Sequence, residues 1–186
     1  MPEITGLQGS RKGDKKMLDA KVKELLNEQV NKEFYSAYLY LDFANFYNRR
    51  GLDGFYNWFY IQTQEERDHA MLFMKYLQNN SADVELLMIP KPEISLERLE
   101  DPLHEAVKHE AYVTSLINNL YDAAQSAKDF RTVQFLDWFV KEQGEEEKNT
   151  QDLVTKMELF GSEPRSLYML DNELKARVYT APSLVL

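Results

Sequence analysis

Four stretches of the chain carry apolar residues at the alternating three-and-four spacing of a packed helix, and metal-capable side chains interrupt each stripe mid-length. The first stripe reads Leu26, Val30, Glu33, Ala37, Tyr40, Ala44, and the second Phe55, Phe59, Gln62, Glu66, His69, Phe73, Tyr76. The third reads Leu103, Ala106, Glu110, Val113, Ile117, Leu120, Ala124, and the fourth Leu136, Phe139, Gln143, Glu146, Thr150, Leu153, Met157, Phe160. This spacing predicts four helices with those residues facing one core. Break signals place the helices at about 17–48, 52–79, 101–126 and 129–160. Arg50-Gly51-Leu52-Asp53-Gly54 makes a short turn between the first two, so they are antiparallel neighbours. The stretch from about 79 to 98, with Asn79, Asn80, Ser81, Pro90 and Pro92, is too long for a turn and must cross the length of a bundle. Asp101-Pro102 fits an N-cap and first helical position, and Asp129 caps the fourth helix. After Gly161 and Pro164, the residues Tyr168, Leu170, Leu174 and Val178 suggest a short fifth helix.

Each stripe therefore carries a carboxylate inward: Glu33, Glu66, Glu110 and Glu146. Burying an unpaired carboxylate costs several kcal/mol even after relaxation. No Lys or Arg occupies a stripe, which leaves protons or metal ions as the counter-charge. Two divalent ions would balance four glutamates.

Composition narrows the alternatives. The 186 residues suffice for one domain burying about 70% of its unfolded surface, so a metal is not needed merely to hold it together. Seven glycines and six prolines are few, which favours long helices. A net charge of −9 argues against a nucleic-acid surface and favours attraction of cations. The absence of cysteine excludes disulfides, iron–sulfur ligation and thiol catalysis. The first sixteen residues are polar, and no eighteen-residue apolar run exists, so the expectation is a soluble, cytoplasmic protein without a membrane partner. Residues 1–16, with Gly6, Gly9, Gly13, Arg11, Lys12, Lys15 and Lys16, lack periodicity and read as a mobile tail; the domain is expected over 17–178, with a C-terminal tail at 179–186.

Glu66-Arg67-Asp68-His69 is an E-x-x-H pair, with its ends about 60° apart on one helix face. Di-iron carboxylate bundles use one Glu from each of two helices and E-x-x-H from the other two. Here Glu33 and Glu110 stand as the lone glutamates, but the fourth helix offers Gln143-Gly144-Glu145-Glu146, a Q-x-x-E. One metal would see Glu33, Glu66 and His69. The other would see Glu66 as a bridge with Glu110 and Glu146, while Gln143 holds a bound water. Oxygen ligands with one imidazole and open positions suit iron and dioxygen better than a structural zinc. His104 and His109 lie off the stripes and read as surface residues. Phe43, Phe46, Tyr47, Phe55, Trp58, Phe59, Trp138 and Phe139 read as core or as a buried assembly surface.

Over about residues 17–178 the chain resembles the bacterial non-haem ferritins. The resemblance rests on Leu26 through Glu33, Gln64 through His69, Lys108-His109-Glu110, and Trp138 through Lys148. It implies a ferroxidase centre of two irons, with Glu33, Glu66 and His69 at the first and Glu66, Glu110 and Glu146 at the second. Tyr40 matches the tyrosine beside that centre. Glu65, Glu142 and Glu145, just off the stripes, match the carboxylates of a third iron position on the cavity side. The haem-carrying relatives place a methionine after the bridging glutamate and a histidine at the end of the fourth-helix motif. Those positions hold Arg67 and Glu146 here, so haem is not expected. Rubrerythrins need cysteine-ligated iron and are set aside.

The expectation is an all-α, ferritin-like four-helix bundle with a long crossover between its second and third helices and a short fifth helix. By resemblance it forms a homo-oligomeric shell of about twenty-four subunits that oxidises Fe(II) with dioxygen or peroxide and stores ferric mineral. The competing readings are a small-molecule di-iron oxygenase or peroxidase, and a metal-free helical scaffold with protonated carboxylates.

Overall fold

The structure is a computed structural model describing residues 18–186, so the expected tail at 1–16 lies outside the described residues. Five helices follow in order: α1 Ala20–Asn48, α2 Asp53–Asn79, α3 Asp101–Ser126, α4 Phe130–Phe160 and α5 Pro164–Leu174. Asp19 starts α1 by accepting hydrogen bonds from the backbone N–H groups of Lys21 (2.8 Å) and Val22 (3.4 Å). Asp129 starts α4 in the same manner, through the Thr132 N–H at 3.2 Å. α3 begins one residue earlier than expected: Glu100 is the N-cap, and Asp101 instead accepts from the upstream N–H groups of Glu97 and Arg98.

The turn into α2 is closed by Gly51 at φ +72°. Leu52, its N-cap, offers no side-chain bond, and a residue distant in sequence supplies one. The buried Asp171 of α5 accepts from the N–H groups of Gly54 (2.7 Å) and Phe55 (3.1 Å), satisfying donors a helix start leaves open. A Cβ on Gly54 would stand 1.7 Å from the Asp171 carbonyl oxygen, so only glycine permits this approach.

The core splits into two apolar clusters along the bundle. One gathers Leu39–Tyr47 of α1, Phe55–Phe59 of α2, Leu103 and Ala106 of α3, Leu153–Met157 of α4, and Leu170 and Leu174 of α5. The other gathers Leu18–Val30, Phe73–Leu77, Val113–Ala124 and Phe135–Phe139. Read along the chain, α1 and α4 run one way while α2 and α3 run the other. Two successive helices with the same direction require a connection spanning the bundle, and 80–100 supplies it. Asn27 and Asn31, one turn apart on α1, pin that crossover by paired amide bonds to the backbone of Asp83, Glu85 and Leu87.

Three stripe-end residues depart from expectation. Phe160 is 46% exposed, Tyr168 projects to solvent, and Val178 lies beyond α5 at 78% exposure. Phe43, Phe46, Tyr47, Phe55, Trp58, Phe59 and Phe139 fill the subunit's own core, not an assembly face. Exposed apolar surface is concentrated instead at Leu86, Leu87, Met88 and Ile89 on the crossover. Among the described residues, no helix is long and apolar enough to cross a membrane.

Candidate metal centre

Between the two apolar clusters lies a polar belt. It is formed where the four stripes substitute Glu, Gln and His for apolar residues. Glu33 comes from α1, Gln62, Glu66 and His69 from α2, Glu110 from α3, and Gln143 and Glu146 from α4, all of them buried. Glu33, Glu66 and His69 bring one ligand atom each within 4.8 Å of one another, the only such group of three among the described residues. His69 turns Nδ1 toward Glu66 Oε2 at 3.5 Å. Gln29 donates to Glu33 Oε1 at 2.7 Å, but Glu33 Oε2 is buried with no hydrogen-bond partner. A buried carboxylate oxygen left open costs free energy that a cation would recover.

Glu110 and Glu146 sit in the same belt, and each accepts a bond from a side-chain amide. Gln62 Nε2 donates to Glu146 Oε2 at 2.7 Å and to Glu66 Oε1 at 3.3 Å. Gln143 enters the same belt from α4. Its Nε2 donates to Glu110 Oε2 at 3.1 Å and to Thr114 Oγ1 at 3.3 Å. The Tyr40 hydroxyl donates to Glu110 Oε1, so Tyr40 reaches across to α3.

Electrostatics follow from burial. Desolvation pushes Glu33 well above the usual carboxylate range, with the Glu66 charge adding to it. Desolvation does the same to Glu66, helped by Glu110, and to Glu146, helped by Glu110 and Glu66. Glu110 is raised by desolvation and held back by the bonds from Tyr40 and Gln143. Desolvation and the facing Glu110 charge push the Tyr40 phenol well up, so it remains a donor. Each of these shifts favours protons on the carboxyls over bare charges. An arriving cation would displace them, and the donor set of four carboxylates and one imidazole fits a hard or borderline divalent ion with open positions.

The off-stripe trio lies outside the buried belt. Glu65 is half-buried and salt-bridged to Arg177 at 2.5 Å, Glu142 is half-buried, and Glu145 is exposed beside Lys141 at 3.7 Å. The Glu142 charge still reaches Glu65 and opposes its ionisation. His104 is partly covered, and His109 is not the surface residue expected. His109 Nε2 lies 2.7 Å from Ser36 Oγ, and its ring meets Tyr40 edge-on at 5.8 Å. Burial pulls it down to about 4, so it stays neutral. Sequence reasoning gave no role to Gln62, Gln29 or Arg177. A polar residue on a buried stripe one turn before Glu66 was the available signal for Gln62, whereas nothing local marks Arg177.

Comparison with known proteins agrees with this geometry. Residues 23–160 match the ferritin-like domain. The chain is 37% identical over 159 residues to a bacterial non-heme ferritin of Campylobacter jejuni, covering 86% of this chain and 95% of that protein. It is 31% identical over 163 residues to a bacterial non-heme ferritin of Staphylococcus aureus, covering 88% and 98%. The structure superposes with a TM-score of 0.85 and 39% identity on a closed form of the Archaeoglobus fulgidus ferritin engineered by site-directed mutagenesis, covering 88% of this chain and 99% of that one. The open-pore ferritin of the same archaeon gives 0.84 at 39% identity, covering 87% and 99%. A domain match across the whole bundle, with relatives this similar over nearly their full length, places the chain in the ferritin family.

Proposed function

We propose that this ferritin stores iron and oxidises it on the way in, at a dinuclear ferroxidase centre built from the polar belt. The observation that carries the reading is the buried Glu33 Oε2, without a hydrogen-bond partner, beside Glu66 and His69. Fe(II) is the substrate. Two Fe(II) ions give two electrons to dioxygen, which leaves with two protons as hydrogen peroxide; peroxide as oxidant takes the same electrons and two protons to water.

The residues have separable tasks. Glu33 and His69 hold the first position, Glu110 and Glu146 the second, and Glu66 serves both. Each carboxyl that surrenders its proton on loading becomes a hard anionic ligand, which favours Fe(III) over Fe(II). Gln143 and Tyr40 fix Glu110, and the Tyr40 phenol is placed to donate a hydrogen bond or an electron. Rings close the belt above and below: Phe43 and Phe59 pack on Tyr40, and Trp138 and Phe139 on His69, at centroid distances of 5.6–5.8 Å. That packing favours a small oxidant over an organic substrate. Glu65, Glu142 and Glu145 form the third, weaker position toward the cavity, where oxidised iron passes inward to hydrolyse. No haem takes part.

Relatives described as open-pore and closed forms of a ferritin support a hollow homo-oligomer, and the apolar Leu86–Ile89 run supports a subunit contact there. We assign about twenty-four subunits per shell and a cytoplasmic location on the family's pattern. Size-exclusion chromatography with an iron assay tests the reading. Expected is a very large particle loading many irons per subunit. A small oligomer holding two would favour an oxygenase, and an iron-free species a scaffold.

A further inference from the structure

Beyond α5 the chain does not leave the bundle. It runs back along α2 as a strap fixed at several points. The Asn57 amide donates to the carbonyls of Leu174 (3.3 Å) and Arg177 (3.0 Å), Tyr179 bonds Asp68, and Trp138 Nε1 donates to Ser183 Oγ at 3.0 Å. At its centre the Arg177 guanidinium lies over the Trp58 ring, 4.5 Å from the centroid. Nη1 donates to the Trp58 carbonyl (3.1 Å) and to Gln62 Oε1 (2.9 Å), and Nη2 donates to Glu65 Oε2 (2.5 Å).

The Gln62 contact matters because an amide has two unlike ends. A guanidinium has donors only, so it can be met by the amide oxygen and never by the amide nitrogen. With Oε1 committed outward to Arg177, both N–H groups of Gln62 must point inward, where Nε2 serves Glu146 and Glu66. Without Arg177, a fully buried amide oxygen would lose its partner, and the flipped amide would set that oxygen against two carboxylates. The same guanidinium neutralises Glu65, the residue before the shared ligand.

We propose that Arg177 is a positioning residue for the second metal position, acting through Gln62 to orient the Glu66 and Glu146 carboxylates. The inference rests on the dinuclear reading above. The fork geometry is essential: one guanidinium serves the amide and the carboxylate together, which a lysine's single ammonium point cannot do equally. Of the first position's ligands only the shared Glu66 takes a bond from Gln62; Glu33 and His69 take none.

The test is calorimetric titration of the assembled, metal-stripped protein with Co(II), together with the visible absorption bands that report cobalt coordination. Wild type should bind two Co(II) per subunit in the belt. Arg177→Met should weaken the second position by about ten- to a hundredfold, the usual effect of losing a residue that orients a ligand, and the first, which it reaches through Glu66 alone, by much less. Arg177→Lys should recover part of that loss. In a Gln62→Leu background, Arg177→Met should cause no further loss. A merely structural strap predicts otherwise: a lower melting temperature with both affinities unchanged, or both reduced alike, and either result would overturn the proposal. An additional loss in the Gln62→Leu background would also overturn it. Absence of Co(II) from the wild-type belt would instead remove the dinuclear reading, and the inference with it.

Discussion

Replacing Glu66 by Gln in the metal-free protein probes the belt's electrostatics directly. Glutamine keeps the shape and cannot ionise. In wild type, burial holds the Glu66 carboxyl well above the ordinary value of 4.5 that it regains on unfolding. Above pH 4.5 the folded state therefore binds a proton that the unfolded chain releases, and stability falls as pH rises until the raised value is reached. One such proton is worth about 1.4 kcal/mol per pH unit. The variant lacks it. Its stability curve should meet the wild-type curve, apart from a constant offset, near pH 4.5 and then fall less steeply by about that slope. Guanidinium denaturation of both metal-stripped proteins in half-unit pH steps measures the difference, and subunit contacts cancel because Glu66 is buried inside the bundle. Metal reverses the sign. A cation competes with the protons, so wild type should gain more from added Fe(II) under nitrogen as pH rises, and the variant little. Parallel pH curves for the two metal-free proteins would refute the claim that burial keeps this carboxyl protonated.

Further outcomes are expected elsewhere. Tyr40→Phe removes the hydroxyl donor to Glu110, and the transient absorbance after mixing Fe(II) with dioxygen should decay at an altered rate; an unchanged decay would confine Tyr40 to packing. Gly54→Ala drives a methyl into the Asp171 carbonyl and should cost about 1–3 kcal/mol, read as a lower melting temperature, whereas an unchanged one would mean α5 moves away freely. Glu142→Ala with Glu145→Ala should remove a third metal peak from crystals soaked with Fe(II), and persistence of that peak would show that other groups hold it.

What could be read from the sequence was what repeats along it. The four helices and the inward positions of Glu33, Glu66, His69, Glu110 and Glu146 follow from one spacing rule, because a core-facing stripe is a local property of each helix. The capping role of Asp129 was visible for the same reason. Contacts between segments remote in sequence were not. Asp171 caps α2 from more than a hundred residues away, and Arg177 reaches Gln62 by a similar span. His109 was misread because its neighbours, Ser36 and Tyr40, lie on another helix. Periodicity likewise could not show that the Gln143 amide reaches Glu110 on another helix. Val178 fitted the helical spacing, yet the chain turns after Leu174, where Asn57 holds the Leu174 and Arg177 carbonyls.

The dinuclear centre is most directly tested by diffraction at the iron absorption edge from crystals of metal-stripped protein soaked with Fe(II) under nitrogen. The account predicts two anomalous peaks in the belt, one bonded to Glu33, Glu66 and His69 and one bonded to Glu66, Glu110 and Glu146. A belt without peaks, or a single peak that leaves Glu66 unbound, would contradict it.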